Sequence, residues 1–349
     1  MSEETTELIN KQVTDLHAAK KDKKNEFYTQ LTDIEKEIKY YKKHFKKKTV
    51  FCNCDDPKIS NFFKFFSLKF NDLGLKKLIT TCYKSQQLEM FSESKSERAI
   101  FLEYHGEKRN GKVPTARQIG IKQLRGDGDF RSPECIELLK QSDIVVTNPP
   151  FTHFREYVQQ LLEHKKKFVI MGKNTAVGYK EIFPLLQDNK IWLGPSIKSG
   201  DREFGVPKNY EVRSPSLRLD KHGNKFIRVV GIRWFTNLDF KQRYEDLILY
   251  KQYSPKEYPK YDNYDAINVD VTADIPKDYK GIMGVPLTFM DKYNPEQFEI
   301  LGLSQKVGFG LESSKNYNDY EETKPDGTKT GSSGRKTNGN PMLKGMPKK

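Results

Sequence analysis

The sequence predicts an α/β fold: a mostly parallel sheet with helices on both faces. Three observations predict it. Between about residues 49 and 194, short β-branched or aromatic runs alternate with amphipathic helical stretches. One of those runs, Ile144-Val145-Val146, is continuously apolar, the pattern of a strand buried on both faces. It stops abruptly at Asn148-Pro149-Pro150-Phe151. Two prolines in a row continue neither a strand nor the middle of a helix, so they make a stiff bend. A rigid loop at the carboxyl end of a buried strand is where open α/β sheets place their chemistry.

The elements follow in order. Residues 1–24 are polar and end in "AAKKDKK", a flexible basic arm. "NEFYTQLTDIEKEIKYYKKHF" places Ile34, Ile38 and Tyr41 at helical spacing, with Thr29 or Thr32 as cap. "TVFCNCDD" reads as a strand ending in the carboxylates Asp55 and Asp56, with Cys52 and Cys54 on one face. Residues 60–74 form a helix with Ser60 as N-cap, a Phe62/Phe66/Phe70 stripe and Gly74 as its stop. "KKLITTCYK" and "AIFLEYH" are strands. "SPECIELLKQS" is a helix capped by Ser132, with Pro133 in its first turn. "DIVVTN" is the buried strand, and residues 152–167 make a helix that buries Phe154, Val158, Leu161 and Leu162. "KFVIMG" is a second buried strand. "YKEIFPLLQDN" is a helix interrupted by Pro184, and "KIWLG" is a strand.

After residue 195 the periodicity fades and basic residues accumulate, among them Lys198, Arg202, Lys208 and Arg213. "FIRVVGIRWFTNL" is strand again, and residues 281–303 are apolar enough to fold back on a core. From residue 313 the chain is Gly, Ser, Asn, Thr and Lys, a mobile basic tail.

Composition narrows the function classes. With 61 Lys and Arg against 47 Asp and Glu the net charge is +14, which points to a polyanionic partner, nucleic acid first. Four cysteines in 349 residues fit a reducing compartment and no disulfide framework. No stretch reads as a signal peptide or a membrane span, so the expected place is the cytoplasm. The six histidines have no metal-ligand spacing, and no metal is expected. The phosphate-binding pattern GxxxxGK[ST] is absent.

Asn-Pro-Pro-Phe suits one kind of chemistry. A planar exocyclic amine is a poor nucleophile, because its lone pair is delocalised into the ring. Two fixed acceptors aimed at its N–H groups orient it and favour charge building on nitrogen. The Asn148 side-chain carbonyl and the Pro149 backbone carbonyl are such acceptors, Pro150 stiffens the corner, and Phe151 offers a ring to stack on a flat base. No side chain has to ionise. A base inside a duplex would have to flip out to be reached.

Asn-Pro-Pro-Phe after an apolar strand resembles the motif of S-adenosyl-L-methionine-dependent amino-methyltransferases. "FCNCDDPKISNFFKFF", "LGLKKLITTCY", "SDIVVTNPPFTHFREYV", "KIWLG" and "SGDREFGVP" together resemble the EcoRI-type adenine-specific DNA methyltransferase family, across roughly residues 18–303. The resemblance implies a Rossmann-like methyltransferase sheet with a less regular C-terminal DNA-recognition region. It implies S-adenosyl-L-methionine as cofactor and double-stranded DNA as partner. Tyr28 and Thr29 would meet the methionine end of the cofactor, and Asp129 of "GDGDF" its adenine amino group.

Two departures stand out. The loop after the first strand, "NCDDPKISNF", has no glycine, so Asp55 or Asp56 would serve the cofactor without the usual close backbone approach. No acidic residue follows the second strand, and Glu103 is the candidate substitute.

The expected organisation is a catalytic domain over 25–194, a recognition region over 195–312 containing the last core strand, and a tail over 313–349. Lys198, Arg202, Lys208 and Arg213 are candidate DNA contacts, mostly to phosphate. The expected state is a monomer, with any cognate restriction endonuclease acting independently. Two other classes stay open: an amino-methyltransferase of RNA or of a protein glutamine amide, and a non-catalytic DNA-binding protein on the same fold.

Overall fold

The computed structural model describes residues 29–54, 56–58, 60–83, 99–108, 112–198, 200–206, 217–261, 264–304, 306–307, 320–323, 329–332 and 341–345. The chain divides into two compact units, residues 1–173 with 200–238, and residues 174–199 with 239–349. The division differs from the expected break near residue 195: a segment on either side of that point crosses to the other unit.

The strands are, in chain order, β1 (Thr49–Cys52), β2 (Lys77–Cys82), β3 (Ile100–Tyr104), β4 (Lys122–Gln123), β5 (Ile144–Thr147), β6 (Lys167–Lys173), β7 (Trp192–Leu193), β8 (Gly200–Val206), β9 (Leu217–Leu219) and β10 (Lys225–Thr236). All of these but β7, which belongs to the second unit, form one sheet of the first unit in the order β4-β3-β2-β1-β5-β6-β10, with β8 and β9 also on β10. The expectation of a mostly parallel sheet is narrowed to the centre. The β2–β1, β1–β5 and β5–β6 ladders are parallel. On the flanks, β2–β3, β3–β4, β10–β6, β10–β8 and β10–β9 are antiparallel. Burial differs between the centre and the flank. Residues of β5 are all buried, whereas β3 alternates buried and half-buried, as a strand with one covered face does.

Helices cover the sheet where the apolar stripes require. Helix α1 (Leu31–Ile38) buries Ile34 and Ile38, and Tyr41 is buried just beyond it. Its N-cap is Gln30, without a side-chain bond, so neither expected threonine caps it. A short helix α2 (Lys42–Phe45) leads into β1. The helix expected over 60–74 is divided into α3 (Asn61–Leu68) and α4 (Phe70–Leu73), because Lys69 leaves helical geometry at φ −94°, ψ 10°. Its ends are as expected. Ser60 Oγ accepts from the amides of Phe62 and Phe63 at 3.1 and 3.3 Å, and Gly74 stops the chain at φ 63°. The phenylalanine stripe is buried, and Phe62 meets Trp234 of β10 edge-on at 6.2 Å.

Helix α5 (Ala116–Ile119) carries a capping box between Thr115 and Gln118. Helix α6 (Pro133–Lys140) starts at Ser132, whose Oγ accepts from Cys135 N. Helix α7 (Phe154–Glu163) follows β5 and buries Phe154, Tyr157, Val158 and Leu161; Leu162 is only half-buried.

In the second unit, α8 (Phe183–Gln187) begins just before Pro184, so this proline opens the helix rather than interrupting it. Its Gln187 Nε2 donates to the carbonyls of Ile300 and Leu301. The strands are β11 (Ala266–Asn268), β12 (Ile282–Gly284), β13 (Phe298–Leu303), β14 (Lys306–Val307), β15 (Tyr320–Thr323), β16 (Lys329–Ser332) and β17 (Pro341–Gly345). A second sheet runs β11-β12-β17-β13-β14, and β15 pairs with β16. Strand β17 corrects the reading of 313–349 as a mobile tail. It lies between β12 and β13, and Pro341, Met342 and Leu343 are buried.

Among the described residues, no helix is long and apolar enough to cross a membrane.

Candidate active site

The carboxyl ends of β1 and β5 lie side by side, since these strands pair in parallel through Val50↔Ile144 and Phe51↔Val145. The two loops leaving them are tied together: the Thr147 hydroxyl donates to the Asn53 carbonyl. Asn148 follows, half-buried, then buried Pro149 and exposed Pro150. Pro150 has φ −56°, ψ 120°, the extended geometry its ring favours, and it sends Phe151 into a single 3-10 turn ahead of α7. Phe151 is half-buried, with the Lys173 ammonium 6.0 Å from its ring centroid. The corner expected from Asn-Pro-Pro-Phe is thus present at the end of a buried parallel strand.

The loop after β1 shows how a chain without glycine turns there. Cys54 adopts φ 64°, the left-handed region that glycine usually occupies. Its thiol donates to Asn53 Oδ1 at 2.9 Å. The strand ends at Cys52, so Cys54 belongs to the turn rather than to the strand's core face. Asp56 is 8% exposed, and burial raises its carboxyl above the usual range. Its Oδ1 accepts from Lys58 N at 2.8 Å, and its carbonyl accepts from Ser60 N at 2.7 Å. The loop is therefore folded around Asp56 before α3 begins. Asp55 and Tyr28 lie outside the described residues.

Thr29 is brought to the same region. It is 3% exposed, its carbonyl accepts from Asn61 Nδ2 at 2.8 Å, and its hydroxyl points at Met171 Sδ of β6 at 3.5 Å. Asn61, the first residue of α3, thus links the segment before α1 to the loop after β1. Sequence reasoning missed Asn61 and Met171, because neither residue type signals a tie across so many intervening residues.

Asp129 sits in the loop before α6, held against the end of β2. Gly128 at φ 77° makes the approach possible: a Cβ there would lie 2.4 Å from the Cys82 carbonyl. Both Asp129 oxygens accept from Arg131, Oδ1 from Nε at 2.9 Å and Oδ2 from Nη2 at 2.8 Å. Arg131 holds the Asp129 carboxyl below the usual range. Arg131 also reaches Glu156 of α7 at 2.9 Å. Glu103 is not brought to the carboxyl end of β2. It stands opposite Ile79 and bonds Lys77 and Lys122 at 2.9 and 3.1 Å.

The donor set fits the cofactor the resemblance implies. A carboxylate at Asp56 matches an ammonium, the hydroxyl of Thr29 can accept or donate, and Asp129, whose Oδ1 takes both the backbone N and Nε of Arg131, retains one acceptor site on Oδ2 for an amino group.

Of the four candidate DNA contacts, Lys198 is exposed, and Lys208 and Arg213 lie outside the described residues. Arg202 on β8 faces Asp33 of α1, Nε to Oδ1 at 3.8 Å. Two more arginines of this region are engaged: Arg218 with Glu203, and Arg228 with Asp201.

No solved structure matches the chain. The family described as "Adenine-specific methyltransferase EcoRI" matches residues 15–344. "Type II methyltransferase M.EcoRI" of Escherichia coli is 52% identical over 294 residues, 84% of this chain and 90% of that protein. "Type II methyltransferase M.MgeORF184P" of Mycoplasma genitalium and "Type II methyltransferase M.MpnI" of Mycoplasma pneumoniae are each 42% identical, over 81% of this chain and 84% and 83% of theirs. An Asn-Pro-Pro-Phe corner at the end of a buried central strand, together with matches over most of the sequence, leads to one conclusion: the chain belongs to the EcoRI family of adenine-specific methyltransferases.

Proposed function

We propose that this enzyme transfers a methyl group from S-adenosyl-L-methionine to the N6 amino group of adenine at a specific site in double-stranded DNA. The observation that carries this reading is the Asn148–Phe151 corner, fixed beside the β1 loop by the bond from Thr147 to Asn53. Named type II methyltransferases among its relatives support DNA as substrate and a restriction–modification setting, where a cognate endonuclease would act independently.

The bound cofactor supplies an electrophilic methyl on a sulfonium. The side-chain carbonyl of Asn148 and the backbone carbonyl of Pro149 accept the two N–H groups of the flipped-out adenine. Pro150 keeps that pair of acceptors rigid, and Phe151 stacks on the base. With both hydrogens held, the nitrogen lone pair would face the sulfonium methyl that the cofactor supplies; a C–N bond would form in line as the C–S bond breaks, the thioether would leave, and the extra N6 proton would pass to solvent, with no covalent enzyme intermediate. Asp56 and Thr29, with Asp55 and Tyr28, would hold the amino-acid end of the cofactor, and Asp129 its adenine. Lys198, Lys208 and Arg213 are the candidate phosphate contacts.

Asn148→Ala tests the mechanism in solution. The expected result is a fall in kcat of at least about 100-fold, the loss seen when one fixed transition-state dipole is removed. Cofactor and duplex affinities should stay near wild type. Loss of both binding activities would assign Asn148 to the fold instead.

A further inference from the structure

The Asp33–Arg202 ion pair has features that a merely structural surface pair lacks. It joins the first turn of α1 to β8 between side chains only 16% and 29% exposed. Burial raises the Asp33 carboxyl, with Arg202 and then Lys36 opposing the shift. Arg202 stands opposite Val229, whereas its neighbours Asp201 and Glu203 project to the other face of β8 and take Arg228 and Arg218 there. Arg202 thus shares its face with Phe204 and Val206, both buried. Its Nη1 donates to the Asp201 carbonyl at 2.9 Å, which fixes the guanidinium. A half-buried ion pair adds little stability, because desolvation offsets attraction; its best-attested use is to set a register.

What the pair sets is the start of α1. That end has no side-chain cap at Gln30. Thr29 precedes it directly and touches Met171 on β6 and Asn61 on α3. A closed circuit results. Thr29 meets β6, β6 pairs with β10, β10 pairs with β8, and Arg202 on β8 returns through Asp33 to the helix that follows Thr29.

We propose that Asp33 and Arg202 are a positioning pair: by fastening α1 to β8 they hold Thr29 where it meets the amino-acid end of the cofactor. The proposal rests on the methyltransferase reading of the site, and it takes Arg202 out of the DNA-contacting set.

The test is calorimetric titration of the full chain with S-adenosyl-L-methionine, for wild type, Asp33→Asn, Arg202→Met, the double variant and Arg202→Lys. Each single neutral variant should bind the cofactor about 5- to 30-fold more weakly, and the double variant no more weakly than the worse single one. Arg202→Lys keeps the charge and should stay within about threefold of wild type. KM for the cofactor should rise in step, while kcat at saturating cofactor holds, because Asn148 and Phe151 are untouched. Multiplying losses in the double variant would overturn the proposal, as would equal losses in the Lys and Met variants. So would an Arg202→Met variant that keeps cofactor affinity and weakens duplex binding, which would return Arg202 to the phosphate contacts. Wild-type protein that binds no cofactor would instead sink the methyltransferase reading itself.

Discussion

At the scale of single residues, conformation separates roles that residue type alone does not. Cys54 holds a left-handed backbone in the loop where the usual cofactor motif has glycine. A β-branched residue tolerates that geometry poorly, so Cys54→Val should cost about 1–3 kcal/mol in urea unfolding, while Cys54→Gly should be neutral or stabilising. Equal stability of the Val and Gly variants would show that the turn is not held left-handed. The corner at Asn148, Pro149 and Phe151 was legible because two prolines after an apolar run force a stiff bend at the strand's end. Thr29 was read from spacing as a cap, a place Gln30 takes instead, and as a cofactor contact through the resemblance; its partners Asn61 and Met171 were not legible at all. Side-chain ties across the fold leave no local pattern. Arg202 was read from charge as a DNA contact, and the carboxylate it faces, 169 residues earlier, could not be seen from its neighbourhood.

At the scale of elements, ends were legible where a cap carries the signal. Ser60, Ser132 and Gly74 each act as the sequence implied. Ser60→Ala should therefore cost about 1 kcal/mol of stability, measured by thermal or urea unfolding. The break at Lys69 was not legible, because a continuous phenylalanine stripe fits one helix as well as two. The loop holding Asp129 makes a prediction in pH. Arg131 lowers the folded-state carboxyl, so the bond adds stability above the unfolded pKa and loses it as pH falls through the folded one. Asp129→Asn should thus melt below wild type at neutral pH, and the two curves should converge in acid. A gap that is constant across pH would contradict that origin.

For the whole molecule, the expected α/β architecture is present, and its parallel part is confined to β2-β1-β5-β6. Strand direction is not written in hydrophobic pattern. The alternating burial of β3 and of the first half of β10 is the trace it leaves, and only "DIVV" and "KFVIM" read as continuously apolar. The second sheet was misread more deeply. Its strand β17 is five residues in a stretch of Gly, Lys and Asn, and pairing on both sides compensates for poor local propensity. Leu343→Ala should therefore cost about 2–5 kcal/mol, as a buried leucine does, where a tail residue would cost nothing measurable. The central claim, methylation of adenine in DNA at a defined site, is tested most directly in cells. A host without its own adenine methylation would express this chain or its Asn148→Ala variant, and its plasmid DNA would be read by modification-sensitive sequencing. The account predicts N6-methyladenine confined to one short motif with wild type and none with the variant. Unmodified DNA from well-expressed, folded wild-type protein would contradict it.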